Sequence, residues 1–276
     1  METLNRPIFL VTDFGARDSY VGQMKAIIAG IAPGARVFDL THEIEPFSVE
    51  EGAWTLDITL DALPLNAIVV AVVDPGVGTT RRPILVEAEG RGFLGPDNGL
   101  LSVALPAEIR DELEGATEVE GIGAILAVRE LSSPQYRRPN VSATFHGRDI
   151  FAPAAAHLAA GLDSRLLGPP TNQMIAIPTF SGRPGQFGEL HGHIIHIDRF
   201  GNLITTIRAA QLFPGFCLSI NNIEVDTRVH TFGNAPAGVP FCYADSAGFV
   251  AVGMNRASAA VRLDVKRHDR VLVACR

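Results

Sequence analysis

Ala67-Ile68-Val69-Val70-Ala71-Val72-Val73 is an unbroken apolar run, mostly β-branched, that stops at the turn-rich Asp74-Pro75-Gly76-Val77-Gly78. A run of this length is far too short to cross a bilayer but suits a parallel strand buried on both faces. The segment before it carries a strand signal followed by a helix signal twice over. Residues 7–12 form a short apolar run, and Tyr20 to Ile31 then carries apolar residues at helical spacing before Pro33-Gly34. Residues 36–41 are strand-like, and Ser48 with Glu51 has the spacing of a capping box ahead of Val49, Ala53, Leu56, Leu60 and Leu63. Strand, helix, strand, helix, strand predicts a layered α/β domain.

In open sheets of this kind ligands bind beyond the carboxyl ends of the strands. Thr12-Asp13-Phe14-Gly15, Thr41-His42-Glu43 and Asp74 to Gly78 are all predicted at that edge. On the far side of the run, residues 168–187 turn rich in Pro, Gly, Ser and Thr. They are expected to include a linker over 171–188 between an α/β domain at 1–170 and a smaller domain at 189–276. The short strand-like pieces at 192–197, 203–207, 249–252 and 271–274, with no long amphipathic helix, make the second domain all-β and barrel-like.

Composition narrows the function. Among 276 residues, 47% are hydrophobic and 19% charged, which suits a folded globular chain. The net charge of −7 argues against binding a phosphate backbone, so no nucleic-acid partner is expected. The N-terminal residues lack a basic segment followed by a long apolar core, so a soluble cytoplasmic protein without a membrane partner is expected. The three cysteines Cys217, Cys242 and Cys275 are far apart and make neither a disulfide framework nor a zinc pattern. His191, His193 and His196 look metal-like by number, but on a strand the first two share a face and the third points away. No metal is expected there.

Asp13-Phe14-Gly15 imitates the magnesium motif of protein kinases without the glycine-rich loop or the His-Arg-Asp segment that would accompany it. An ionised Asp13 at a strand end could instead accept hydrogen bonds from both hydroxyls of a ribose, or simply shape a turn. Pro75 restricts Asp74 to extended geometry, while Gly76 and Gly78 allow close backbone approach to a ligand; a structural turn fits the same residues. Phe145-His146-Gly147-Arg148-Asp149 precedes the helix-like stretch 150–162, whose positive dipole end lowers the pKa of His146 and leaves a neutral base, or a structural hydrogen-bonder. Asp198 and Asn202 at a turn suit either loop capping or a zwitterionic ligand.

Taken in order, Leu10-Val11-Thr12-Asp13-Phe14-Gly15, Tyr20 to Lys25, Asp39-Leu40-Thr41-His42, Val73 to Thr79, Gly95-Pro96-Asp97-Asn98-Gly99-Leu100-Leu101, Phe145 to Asp149 and Ile197 to Asn202 resemble one family. It is the SAM hydroxide adenosyltransferases, hydrolases of S-adenosyl-L-methionine (SAM) related to fluorinase and chlorinase. The resemblance covers nearly the whole chain. It implies hydrolysis of SAM to adenosine and L-methionine by attack of water at C5′ of the ribose, with SAM as substrate and no cofactor. It implies a homotrimer with active sites at subunit interfaces, between the N-terminal domain of one subunit and the C-terminal domain of the next.

By motif matching the catalytic set is Asp74, Arg81 and His146, the spacing favouring Arg81 over the adjacent Arg82. The same matching gives Asp13 the ribose hydroxyls and gives Asp198, Asn202 and Ser246 the methionine portion. Phe47 and Val77 line the pocket beside Phe145 and Gly147, and backbone groups from Asn255 to Ala259 meet the adenine. Ser246-Ala247-Gly248 stands where halogenase-like members carry Ser-Arg-Gly. Two other functions use the same fold. Halide attack needs a dry pocket of neutral donors, which the Asp-Arg-His set does not provide. A non-catalytic SAM or adenosine binder would not need all three groups.

Overall fold

The computed structural model describes residues 6–275, so the outermost residues of the two expected domains, 1–5 and 276, lie outside it. The chain forms two compact units, one ending at Thr179 and one beginning at Phe180.

In the first unit the strands are β1 (Ile8–Thr12), β2 (Val37–Thr41), β3 (Ile68–Val72), β4 (Pro83–Ala88), β5 (Arg91–Pro96), β6 (Thr117–Glu120), β7 (Ala127–Glu130) and β8 (Gln173–Ala176). Its helices are α1 (Tyr20–Ile31), α2 (Val49–Thr59), α3 (Ala107–Asp111) and α4 (Ala152–Ala159). One sheet runs in the order β2-β1-β3-β5-β4-β7, and β6 pairs with β8 apart from it. The pairs among β2, β1, β3 and β5 are parallel, whereas β4 joins both β5 and β7 antiparallel. The α/β architecture is therefore as expected, with an antiparallel extension on one side of the parallel layer.

The apolar run becomes β3 near the middle of the sheet, buried throughout. Ile68, Val70 and Val72 share a core with Ile8 and Leu10 of β1, Met24 and Ile28 of α1, and the alanine-rich α4. On the opposite face α2 packs so close that a Cβ at Gly52 would lie 3.1 Å from Val73. Both faces are covered, as the unalternating pattern requires. At the start of α2 the Ser48 hydroxyl accepts from the Glu51 N–H, but the Glu51 carboxylate accepts from the N–H of Glu45, so the cap is half of the expected box. The α-helical turn tightens after Thr59, and Leu60 to Ala62 form a 3-10 turn.

The second unit contains β9 (Arg183–Pro184), β10 (Leu190–Ile197), β11 (Leu203–Arg208), β12 (Phe216–Ile220), β13 (Ile223–Val225), β14 (Thr227–Arg228), β15 (Pro240–Ala244), β16 (Phe249–Met254), β17 (Arg270–Cys275) and the short α5 (Ala259–Leu263). The sheet order is β13-β12-β17-β10-β11-β16-β15-β14, with β9 beside β10. Its two edge strands, β13 and β14, are separated in sequence by Asp226 alone. Two consecutive residues span at most about 7 Å, so the sheet must curl until its edges meet. This is the barrel-like all-β domain, filled by Leu190, Ile194, Leu203, Leu218, Val252, Val271 and their neighbours. The stretch expected as a linker holds β8, part of the first unit, and β9, part of the second.

Candidate functional site

Asp13, Phe47, Asp74, Val77, Phe145, His146 and Gly147 line one cavity of about 360 Å³ in the first unit. Phe14, Tyr20, Pro46, Val72 and Thr144, none of them assigned to the pocket from the sequence, line it too. Their signal was adjacency: Phe14 follows Asp13, and Tyr20 opens α1 at the same edge of the sheet. The rings of Phe14, Tyr20 and Phe145 form a cluster with centroids 5.1 to 5.8 Å apart.

Asp74 leaves β3 just past its carboxyl end, and the loop doubles back through hydrogen bonds from the Val77 N–H to Asp74 O and from the Thr79 hydroxyl to Gly76 O. Gly78 has φ +78°, and a Cβ there would lie 2.3 Å from Ala143 O. Only glycine fits this crossing, which presses the Asp74 loop against the segment carrying His146.

The doubling back swings Arg81 onto Asp74 in a two-pronged ion pair, with Nε 3.1 Å from Oδ1 and Nη2 on Oδ2. The two side chains are only 7% and 5% exposed, so the pair is shielded from water. Nη2 also reaches His146 Nδ1 at 2.9 Å. Arg82 turns elsewhere, to Asp97, Thr171 and Gln173 O, which leaves Arg81 as the arginine beside Asp74 and His146. Nη1 of Arg81 is buried and has no hydrogen-bond partner among the described residues.

A guanidinium only donates, so His146 Nδ1 must accept with its lone pair, and a neutral ring then carries its proton on Nε2. Burial, and next the positive charge of Arg81, hold the His146 pKa below its usual value; Asp74 and Asp149 pull weakly the other way. The expected lowering therefore has a different main cause from a helix dipole. His146 precedes a π-helical turn, Gly147–Phe151, that leads into α4. Its loop is anchored by Asp149, fully buried, whose carboxylate accepts from the Ser142 N–H and from Arg138 and Arg148.

In the same cavity Asp13 Oδ2 accepts from the N–H of Phe47 at 2.9 Å; Phe47 has φ +70° and is 73% exposed. Burial raises the Asp13 pKa, and the nearby Asp74 charge adds to the rise.

The remaining predicted residues lie in the second unit. The Asp198 carboxylate accepts from the N–H groups of Phe200 and Asn202 and from the Asn202 carboxamide at 2.7 Å. Gly201 has φ +81°, and a Cβ there would collide with Ser258, the N-cap of α5. Asn255 sits in the turn after β16, Ala259 opens α5, and the Ala260 N–H donates to Gly201 O, so these two segments are neighbours. Ser246 lies in the turn before β16, next to Asp245, and Asp245 and Asp198 both bear on Tyr243, whose hydroxyl is pushed up to about 12 mainly by burial. The three strand histidines do not converge: His191 meets Glu189, whereas the His193 ring lies by that of His268.

The model of the SAM hydroxide adenosyltransferase N-terminal domain matches residues 8–168, and that of the C-terminal domain matches residues 192–272. The chain is 40% identical to a protein of Thermus thermophilus named (R)-S-adenosyl-L-methionine hydrolase, over 95% of this chain and 96% of that one. It is 38% identical to a protein of the same name from Salinispora arenicola, over 96% and 97%. A solved structure, an uncharacterized conserved protein from Thermotoga maritima, superposes with a TM-score of 0.82 at 30% identity, over 97% of this chain and all of that one.

Proposed function

Since the chain belongs to the SAM hydroxide adenosyltransferase family, we propose that it hydrolyses S-adenosyl-L-methionine to adenosine and L-methionine. The observation that carries this reading is the shielded Asp74–Arg81–His146 cluster at the edge of a cavity that also holds Asp13.

The sulfonium of SAM leaves as a neutral thioether and needs no acid. In the displacement a water oxygen forms a bond to C5′, the C5′–S bond breaks with its electron pair going to sulfur, and one water proton must be removed. What the reaction requires is an aligned water and a base. With its Nδ1 lone pair engaged by Arg81, His146 has a proton to give rather than a site to take one. A carboxylate offers about four lone-pair positions, and Arg81 occupies only part of the Asp74 set. We therefore assign Asp74 as the base, Arg81 as the charge that steadies the developing hydroxide, and His146 as a donor to the same oxygen.

Asp13, with one oxygen committed to Phe47, holds the ribose hydroxyls through the other. Asp198, Asn202 and Ser246 take the methionine portion, and the segment from Asn255 to Ala259 meets the adenine. In this reading they act from a neighbouring chain of a homotrimer, and sedimentation equilibrium should return about three times the chain mass; a monomer would remove the shared site. SAM is consumed as substrate, and the displacement balances without a cofactor. Among the described residues no helix is long and apolar enough to cross a membrane. Cys217, Cys242 and Cys275 are not joined in disulfides, which suits a reducing compartment, so we place the reaction in the cytoplasm.

Incubation with SAM in oxygen-labelled water tests the activity. Adenosine and methionine should accumulate together, with the label in the 5′ hydroxyl. Recovery of intact SAM would overturn the hydrolase reading, and unlabelled adenosine would overturn direct attack by water.

A further inference from the structure

A second histidine lies close to the cavity without entering it. His42 follows β2, and its Nδ1 is 2.8 Å from the hydroxyl of Thr12, the last residue of β1, which is fully buried. On the other side of the ring Nε2 lies 3.0 Å from Asp39 Oδ1, an oblique contact that is mainly electrostatic. Asp39 is itself held by Lys25 of α1 at 2.6 Å. A carboxylate can only accept, so it favours the proton on Nε2 and leaves Nδ1 to accept from the Thr12 hydroxyl. The same hydroxyl oxygen accepts from the Phe14 N–H at 3.2 Å, and the Gly15 N–H donates to His42 O at 2.7 Å. These bonds tie down both sides of Asp13. The relay runs from α1 through β2 to the tip of β1, and the residue it brackets carries the carboxylate that faces the cavity.

We infer that His42 is a positioning residue for Asp13: through Thr12 it fixes the β1 loop so that the carboxylate is already set for the vicinal hydroxyls of a ribose. The inference deepens the proposed function and rests on its reading of Asp13. Preorganisation of this kind acts on binding, because a loop already ordered loses no further freedom when the ligand arrives. Asp13 itself holds the backbone of Phe47, which lines the same cavity, so loosening the β1 loop loosens that residue too.

The test is a double-mutant cycle read by calorimetric binding of adenosine and by steady-state kinetics with SAM. His42→Ala should weaken adenosine binding and raise KM about tenfold, with kcat changed less than about twofold, the pattern of lost uniform binding. His42→Asn, whose carboxamide oxygen can still accept from Thr12, should recover most of the loss. In an Asp13→Ala background His42→Ala should add nothing, whereas a merely structural role would add its full effect there. Additive losses in the cycle, or wild-type binding by His42→Ala, would overturn the positioning role while leaving the hydrolase reading intact. A wild-type protein that neither binds adenosine nor releases it from SAM would overturn both. Thermal unfolding of each variant separates loss of fold from loss of position.

Discussion

Asp74→Asn should lower the rate of adenosine release from SAM about 10²–10⁴-fold, the range that a positioned general base contributes. The substitution keeps the shape of the side chain and removes the only group of the trio with a lone pair left for the water proton. Arg81 carries donors and no acceptor, and His146 presents Nδ1 to it at 2.9 Å. If His146 were the base, the ring would have to surrender that hydrogen bond or change tautomer, and burial beside the Arg81 charge already makes it a weaker proton acceptor than an ordinary imidazole. His146→Asn therefore serves as the contrast. Its carboxamide oxygen can replace Nδ1 as the acceptor from Arg81, so it should lose only the donor function and retain at least about tenfold more activity than Asp74→Asn. Chromatographic assay of adenosine at saturating SAM measures both. An Asp74→Asn enzyme as active as His146→Asn would sink the assignment, and adenosine binding by both variants would show that the pocket had survived.

The parts of this site visible in the sequence are those that depend on the order of strands. Ala67 to Val73 announces β3 because a strand buried on both faces has no polar alternation, and the residue where such a run stops, Asp74, must lie at the sheet edge. Asp13 and His146 were legible for similar reasons, one after β1 and one before a helical stretch. The strands β4, β5 and β7 were not. Pro83-Ile84-Leu85-Val86-Glu87-Ala88 and Arg91-Gly92-Phe93-Leu94-Gly95-Pro96 mix charge, glycine and proline with short apolar pieces, and their antiparallel pairing is a tertiary choice. The ion pair of Arg81 depended on the loop reversal at Gly78, which needs the clash with Ala143 to be seen. His42 is harder still, since its link to Thr12 spans thirty residues and exists only because β1 and β2 are neighbours. The barrel-like unit was legible as β structure in β10, β11, β16 and β17, whose apolar cores are longest. Between residues 216 and 244 the strands β13 and β14 are only three and two residues long and mostly exposed, and they carry little pattern.

Arg81→Met should cost the protein stability and activity together, and a second substitution should separate the two. Removing one partner of a buried ion pair leaves the other charge without compensation, a loss of about 3–5 kcal/mol in known cases. Both side chains here are more than nine-tenths buried, so the urea midpoint should fall clearly, and Arg81→Lys should not restore it. A lysine presents one point charge and cannot span both carboxylate oxygens and His146 Nδ1 as the fork does. Adding Asp74→Leu to Arg81→Met removes the stranded carboxylate and should recover much of the midpoint, since an apolar pair can replace a buried ionic one at little cost. Activity should stay at the floor in the double variant, because base and electrostatic partner are both gone. The buried, unpartnered Nη1 of Arg81 fits this division, as a structural ion pair gains nothing from a donor without an acceptor. If the double variant regained stability and also released adenosine from SAM at the wild-type rate, the pair would be a strut of the loop and the chemistry would lie elsewhere in the cavity.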